Sequence, residues 1–297
     1  MKSPNTILIF KFWKTVAILF TLLGCEKDDL IIYNTAETDY SFFIAGHTYG
    51  KTNVDNIGVH PPFKEKFQLI TNDESIEFGV LTGDIVSSST NQNWDEIDQN
   101  ILSLNMDVFF APGNHDIENR TLFESRYGST YKSFIFNTDL FIILDPNIDG
   151  WNISGDQLAF LKDELENNSS LVDNIFIFSH QLLWWQPNNK FKRVKPNSVE
   201  GRADNINFWT EIEPLLRKLP NHVHLFAGDL GAKKGREEFM YYKYGNLTFI
   251  ASGMGEGKRD NFIIIDVKKD KSFDYRLIAL NGDNIHKLGD LQDYVLK

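Results

Sequence analysis

The chain has 297 residues, 42% of them hydrophobic and 24% charged, the composition of a folded globular protein rather than a disordered or fibrous one. Its formal net charge of −11 repels phosphate backbones, so nucleic acid is not expected as a general partner. A single cysteine excludes an internal disulfide, and without repeats, low-complexity tracts or Pro/Gly/Ser linkers the chain reads as one main domain.

The N-terminus "MKSPNTILIFKFWKTVAILFTLLGC" carries Lys2, Lys11 and Lys14, then an apolar run over 15–23, then Gly24 and Cys25. The uninterrupted run is shorter than the roughly 20 residues of a spanning helix, and its charged and apolar regions are those of a secretory signal. "LLGC" resembles the bacterial lipobox, in which cleavage before the cysteine leaves that residue to be acylated. On this reading residues 1–24 are a lipoprotein signal peptide, Cys25 is the lipidation site, 25–39 is a polar tether and 40–297 is the domain. Acyl chains hold a protein at a membrane without a spanning helix. The expected location is therefore extracytoplasmic, lipid-anchored to a bacterial membrane, and "EKDD" after Cys25 resembles the acidic export tag of surface-displayed lipoproteins. Loss of residues 1–24 removes three lysines and no acid, taking the charge to about −14.

Apolar runs then alternate with helical stretches. "YSFFIAG" (40–46) reads as a strand and "PPFKEKFQLITND" (61–73) as a helix opened by prolines. "IEFGVLTGD" (76–84) is a strand, "WDEIDQNILSLN" (94–105) an amphipathic helix, and "MDVFFAPGNHD" (106–116) a strand entering a turn. "YKSFIF" and "LFIILD" pair as strands, and "SGDQLAFLKDELEN" (154–167) is a helix with Ser154 as its N-cap. "DNIFIFSH" leads into a long polar loop and the helix "NINFWTEIEPLLRKL" (205–219). "HVHLFAG", "FMYYKY", "LTFIASG", "NFIIIDV" and "FDYRLIAL" complete the chain as strands. Near-continuous apolar strands suit sheets covered on both faces. The expected fold class is α/β, a four-layer α/β/β/α sandwich of two mixed β-sheets flanked by helices.

Polar residues gather at the C-terminal ends of these strands, the edge where ligands bind in open α/β sheets. They are His47 in "AGHTYG", Asp84 in "TGD", Asn114, His115 and Asp116 in "PGNHD", His180 in "FSH", and Asp229 in "AGDLG". One such residue is a turn or a strand cap; five successive ends carrying oxygen or imidazole donors point to a metal site.

These blocks, in this order, resemble those of the calcineurin-like metallophosphoesterases, D-x-H, G-D, G-N-H-[DE], a lone H and G-H-x-H, over residues 40–267. The resemblance implies metal ions that activate a water and clamp a phosphoryl group. It implies Asp84, Asn114, His180 and Asp229 as ligands of one ion, and His115 as an acid or phosphate contact oriented by Asp116. The first and last blocks depart from the pattern: Ala45 stands at the aspartate of D-x-H, Asp229 at the first histidine of G-H-x-H, and Gly231 at the second. Asp229 is a change of ligand type, whereas the other metal position retains only His47 and the bridging Asp84. His47 is then a weak ligand or an oxyanion contact. His222 and His224 lie too far back on their strand to substitute, more than about 10 Å from its end. Glu200, Asp204 and Glu256 stay open as loop substitutes.

The expectation is a metal-dependent phosphoesterase hydrolysing a phosphomonoester or phosphodiester, with a divalent ion (Mn, Fe or Zn), one well held and a second possible. Its partner would be a phosphorylated small molecule or surface glycan. The alternatives are a non-catalytic surface lipoprotein that binds a phosphorylated or carbohydrate ligand in the same cleft, and a structural lipoprotein with a vestigial site. Around the cleft, Tyr49, Trp184 and Trp185 are candidate substrate contacts, and the two tryptophans read equally as packing. Lys190, Lys192, Arg193, Lys195 and Arg202 form a basic loop, read either as a solvated face or as recruitment of an anion. "ASGMGEGKRDN" (251–261) marks a backbone turn near the site.

Overall fold

Neighbouring residues of a strand point to opposite faces, so a strand covered on both sides needs apolar residues at every position. In Thr38–Ala45 (β1), Phe42 joins a core between two sheets and Phe43 a core on the outer side. In Asn174–Phe178 (β6), Phe176 and Phe178 face the inter-sheet core while Ile175 and Ile177 face outward.

The computed structural model describes residues 38–54, 56–294 and 296. The expected signal peptide, Cys25 and most of the expected tether lie outside the described residues. β1 opens at Thr38, two residues inside the expected tether. Among the described residues no helix is long and apolar enough to cross a membrane.

The first sheet runs Phe273–Ala279 (β11), Asn261–Lys268 (β10), β1, Ile76–Leu81 (β2), Asp107–Phe110 (β3). Its β1, β2 and β3 are parallel, and β10 is antiparallel to both its neighbours. The second runs Lys132–Phe136 (β4), Asp139–Ile143 (β5), β6, His222–Ala227 (β7), Leu247–Ser252 (β9), Phe239–Tyr244 (β8). There β5, β6, β7 and β9 are parallel, with an antiparallel strand at each edge. The inter-sheet core is largely phenylalanine, with Phe42 and Phe78 meeting Phe141, Phe176 and Phe226.

The outer face of the first sheet is covered by Pro61–Lys64 (α1), Phe67–Thr71 (α2), Asn91–Leu102 (α3) and Arg120–Tyr127 (α4), through Phe63, Phe67, Trp94 and Phe123. Gly155–Asn168 (α5) and Glu213–Arg217 (α6) cover the second through Leu161, Leu165 and Leu216. The result is four layers, two mixed sheets flanked by helices.

Three local expectations are corrected. The helix over 61–73 is two helices, because the ladder tightens to three-residue turns at Lys66→Phe63 and Leu69→Lys66. The helix over 205–219 is a wide turn, Phe208–Ile212, followed by α6. Pro214 lacks an N–H and its ring crowds the carbonyl four residues back, which forces the ladder to widen. Ser154 occupies the N-cap position of α5, but its hydroxyl donates to Asp149, 2.5 Å away, rather than accepting from the helix.

Candidate metal centre

Five parallel strand ends from both sheets meet at one edge. β1 delivers His47, β2 Asp84, β3 the 113–116 turn, β6 His180 and β7 Asp229. Asp84, His180 and Asp229 are buried, with one donor atom each lying within 4.8 Å of the others. His180 Nε2 is 3.3 Å from Asp84 Oδ1 and 3.8 Å from Asp229 Oδ1. His47 Nε2 approaches the other oxygen of Asp84, Oδ2, at 3.7 Å. One carboxylate thus meets two imidazoles, one at each oxygen. Asn114 lies on the 113–116 turn with an exposed side chain. Glu200, Asp204 and Glu256 do not join the buried group.

The backbone is strained to achieve this. His47 and Asp84 adopt left-handed conformations, φ 55° and 51°, which cost a non-glycine residue about 1 kcal/mol or more. The turn before Asp84 needs glycine: a Cβ on Gly83, φ 78°, would sit 2.5 Å from the His180 ring. A Cβ on Gly113 would meet Asp84 N at 2.3 Å, so the "PGNHD" turn closes on Asp84 only as glycine.

Backbone carbonyls set the imidazole tautomers. His180 Nδ1 is 3.0 Å from the Thr82 carbonyl and His47 Nδ1 is 3.1 Å from the Met254 carbonyl. A carbonyl only accepts, so each Nδ1 carries a proton and Nε2 is the nitrogen left to face Asp84. His180 Nε2 is buried and without a hydrogen-bond partner. A buried imidazole nitrogen with no hydrogen-bond partner, set between two carboxylates, fits a divalent cation, which would take the place of a proton there.

The charges are tightly coupled. Burial alone would lower the His180 pKa, but Asp84, Asp229 and the Thr82 carbonyl push it up to about 10. Burial would raise the Asp84 carboxyl, yet His180, His47 and His115 hold it well below the usual carboxylate range. Burial, aided by Asp84 and opposed by His180, pushes Asp229 up to about 7. Burial lowers His47 to about 4 against the pull of Asp84, so its ring is neutral at pH 7. In the absence of a metal, a proton on His180 offsets the two carboxylates.

The His115–Asp116 pair differs from expectation. Asp116 does not orient His115. Its carboxylate accepts from the N–H groups of Ile85 (2.8 Å), Val86 (3.0 Å) and Gly113 (2.7 Å) and so clamps the loop after Asp84 to the "PGNHD" turn. His115 Nδ1 instead meets the Ser87 carbonyl at 2.9 Å and Glu118 at 3.5 Å. The sequence reading missed Glu118, although its place three residues after His115 was visible. The carbonyls of Ser87, Thr82 and Met254 could not be found, because a backbone atom has no signature in residue type.

Tyr49 is buried, its ring 4.2 Å from that of His47 and 5.3 Å from that of His115. The tryptophan pair separates. Trp184 is a correction to the candidate contacts: it is wholly buried behind the second sheet, donating to Met240 sulfur at 3.4 Å and packing on Phe249. With Leu182 and Leu183 it joins the outer core of the second sheet. Trp185 packs beside Trp151 and under the Arg202 guanidinium. In the basic loop, Lys190 lies over Tyr242, whereas Lys192, Arg193 and Lys195 are exposed. His224 is buried between the sheets, its Nε2 bonded to Tyr275 at 2.8 Å, away from the centre.

Residues 47–253 match the calcineurin-like phosphoesterase family. No curated protein sequence matches the chain. Among solved structures, a purple acid phosphatase from yellow lupin (Lupinus luteus) seeds is similar in fold, with TM-score 0.57 and 13% identity over 83% of this chain. A Staphylococcus aureus protein assigned as a 5′-nucleotidase, in complex with α-ketoglutarate, matches at TM-score 0.42 and 12% identity over 82% of this chain. The chain spans 52% of the first and 55% of the second, about half the length of each. The chain belongs to the calcineurin-like phosphoesterase family.

Proposed function

We propose that this calcineurin-like phosphoesterase hydrolyses a phosphomonoester or phosphodiester of a small molecule, using one divalent ion held by Asp84, Asn114, His180 and Asp229. The observation that carries this reading is His180 Nε2, a buried nitrogen without a hydrogen-bond partner and flanked by two carboxylates. A divalent cation bound there supplies positive charge to a phosphoryl oxygen and acidifies a water.

The chain's own residues do the remaining work. The Thr82 carbonyl aims His180, and Asp116 holds the loop carrying Asp84 against the turn carrying Asn114 and His115. His115, part-exposed and with Nδ1 committed to Ser87, turns its other nitrogen to the leaving oxygen as acid or contact. Neutral His47 presents an Nε2 lone pair beside the Oδ2 of Asp84, which suits a weak additional ligand better than a donor to an oxyanion. Ala45 and Gly231 offer no donor side chain at the second metal position, which supports a single ion.

Metal content of the purified protein is the test. One ion per chain, lost in His180→Ala, is expected after supplying Mn or Zn. Two ions would contradict the single-ion account, and none would remove the hydrolase reading. With the ion present, turnover of p-nitrophenyl phosphate or its bis-ester is expected to fall about 100-fold or more in His115→Ala. A bound ion with no turnover of any ester would leave a ligand-binding protein.

A further inference from the structure

We infer that a cleft beside the metal centre, rimmed by Lys234, Arg236 and Lys258, takes a second anionic group of the substrate. The substrate class is then a small molecule phosphorylated at one end and bearing a phosphate or carboxylate at the other. The identity of the first group rests on the hydrolase reading above; the cleft itself does not.

The cleft has a volume of about 900 Å³ and opens between the segment after Gly231 and the glycine-rich turn after β9. Its walls continue along the chain into segments that carry the centre. Gly255 in its wall follows Met254, whose carbonyl holds His47, and Lys51 at its edge follows the Tyr49 turn. Glu256 N donates to the Gly231 carbonyl at 3.3 Å, so the two walls are joined where the family's last histidine is replaced.

The charges in this cleft do not cancel pairwise. Arg259 is taken by Glu237 and Glu238, both at 2.8 Å, and Lys51 by Glu256 at 3.4 Å. Buried Asp260 accepts from Gly257 N at 3.0 Å and lies 3.9 Å from His60. That uses every acid lining the cleft. Lys234, Arg236 and Lys258 have no carboxylate partner among the described residues. In a chain with 41 acids to 30 bases, five Lys and Arg side chains against four acids around one concavity reverse the prevailing balance, and three of the five are unpaired. Opposite charge in a recess focuses an anion, and a guanidinium and two ammonium groups match phosphate or carboxylate oxygens.

The test begins without metal or turnover. Full-length protein stripped with EDTA is titrated calorimetrically with tripolyphosphate. One equivalent is expected to bind, and the triple variant Lys234→Ala/Arg236→Ala/Lys258→Ala is expected to lose at least tenfold in affinity. The control Lys192→Ala/Arg193→Ala, exposed cations outside the cleft, is expected to keep it. Absence of binding, an undiminished triple variant, or an equal loss in the control overturns the cleft. With Mn-loaded protein, fructose 1,6-bisphosphate is then compared with fructose 6-phosphate as an inhibitor of p-nitrophenyl phosphate hydrolysis. About tenfold preference for the bisphosphate, abolished in the triple variant, is expected; equal inhibition overturns the second-anion role. Failure of hydrolysis alone leaves the metal-free titration readable, so the two readings fail separately.

Discussion

The two carboxylates that follow His115 in the chain, Asp116 and Glu118, divide a role that the sequence suggested for one. Asp116 is fully buried and accepts three backbone N–H groups, so it acts on the shape of the loop. Glu118 is half-exposed and meets the imidazole. Two substitutions separate these roles. Glu118→Gln is expected to lower kcat only a few-fold with unchanged melting temperature, because an exposed pair is screened and worth about 1 kcal/mol or less. Asp116→Asn replaces an acceptor of three N–H groups by an amide with one acceptor oxygen and two donors. It is expected to cost about 1–3 kcal/mol in denaturant unfolding and to weaken metal binding with it. The residue types at 47, 84, 115, 180 and 229 were legible as a set from their strand ends. Their hydrogen-bond partners were not, since three of these side chains are aimed by backbone carbonyls from distant segments.

At the scale of elements, strand ends and the turns after them set the site. Gly83→Ala would place a methyl 2.5 Å from the His180 ring at a φ of 78°. It is expected to destabilise by about 1 kcal/mol or more and to reduce bound metal, measured together by thermal unfolding and metal analysis. Further back, β7 carries His224 into the inter-sheet core, where its ring stacks against both Phe176 and Phe226. Burial, then His222 and Lys243, lower its pKa from 6.5 to about 3. A base whose folded pKa is depressed stabilises fully above its unfolded pKa and loses that contribution as pH falls toward the folded one. Between pH 6.5 and 3 the native state therefore weakens, by at most about 1.4 kcal/mol per unit from this group. His224→Phe removes the titration, and its melting temperature is expected to fall less steeply than wild type from pH 6.5 to 4. Parallel profiles would assign the acid sensitivity elsewhere. Strand identity was readable because apolar runs are local. The break at Lys66 lay in hydrogen-bond geometry that residue type does not mark, the widened turn was signalled only by Pro214, and α4 was not read from the sequence.

The molecule as a whole combines an acidic chain with a cleft in which Lys and Arg outnumber the acids, and a buried Asp84, His180 and Asp229 group that could hold a metal. The membrane anchoring proposed for Cys25 also belongs to this scale, although that residue lies outside the described part of the chain. Cys25→Ser is expected to shift the protein from the membrane to the soluble fraction on cell fractionation, and unchanged membrane retention would contradict it. By itself the sequence determined the four-layer class, the order of the blocks, and the loss of donor side chains at Ala45 and Gly231, because apolar alternation and ligand type are properties of residues and their spacing. Only the tertiary structure decided that Asp84 faces two imidazoles, that Asp116 serves the backbone, that Trp184 belongs to the core, and that Lys234, Arg236 and Lys258 share a cleft. Those outcomes depend on which distant segments meet, and burial and charge pairing are set by the neighbours a fold supplies.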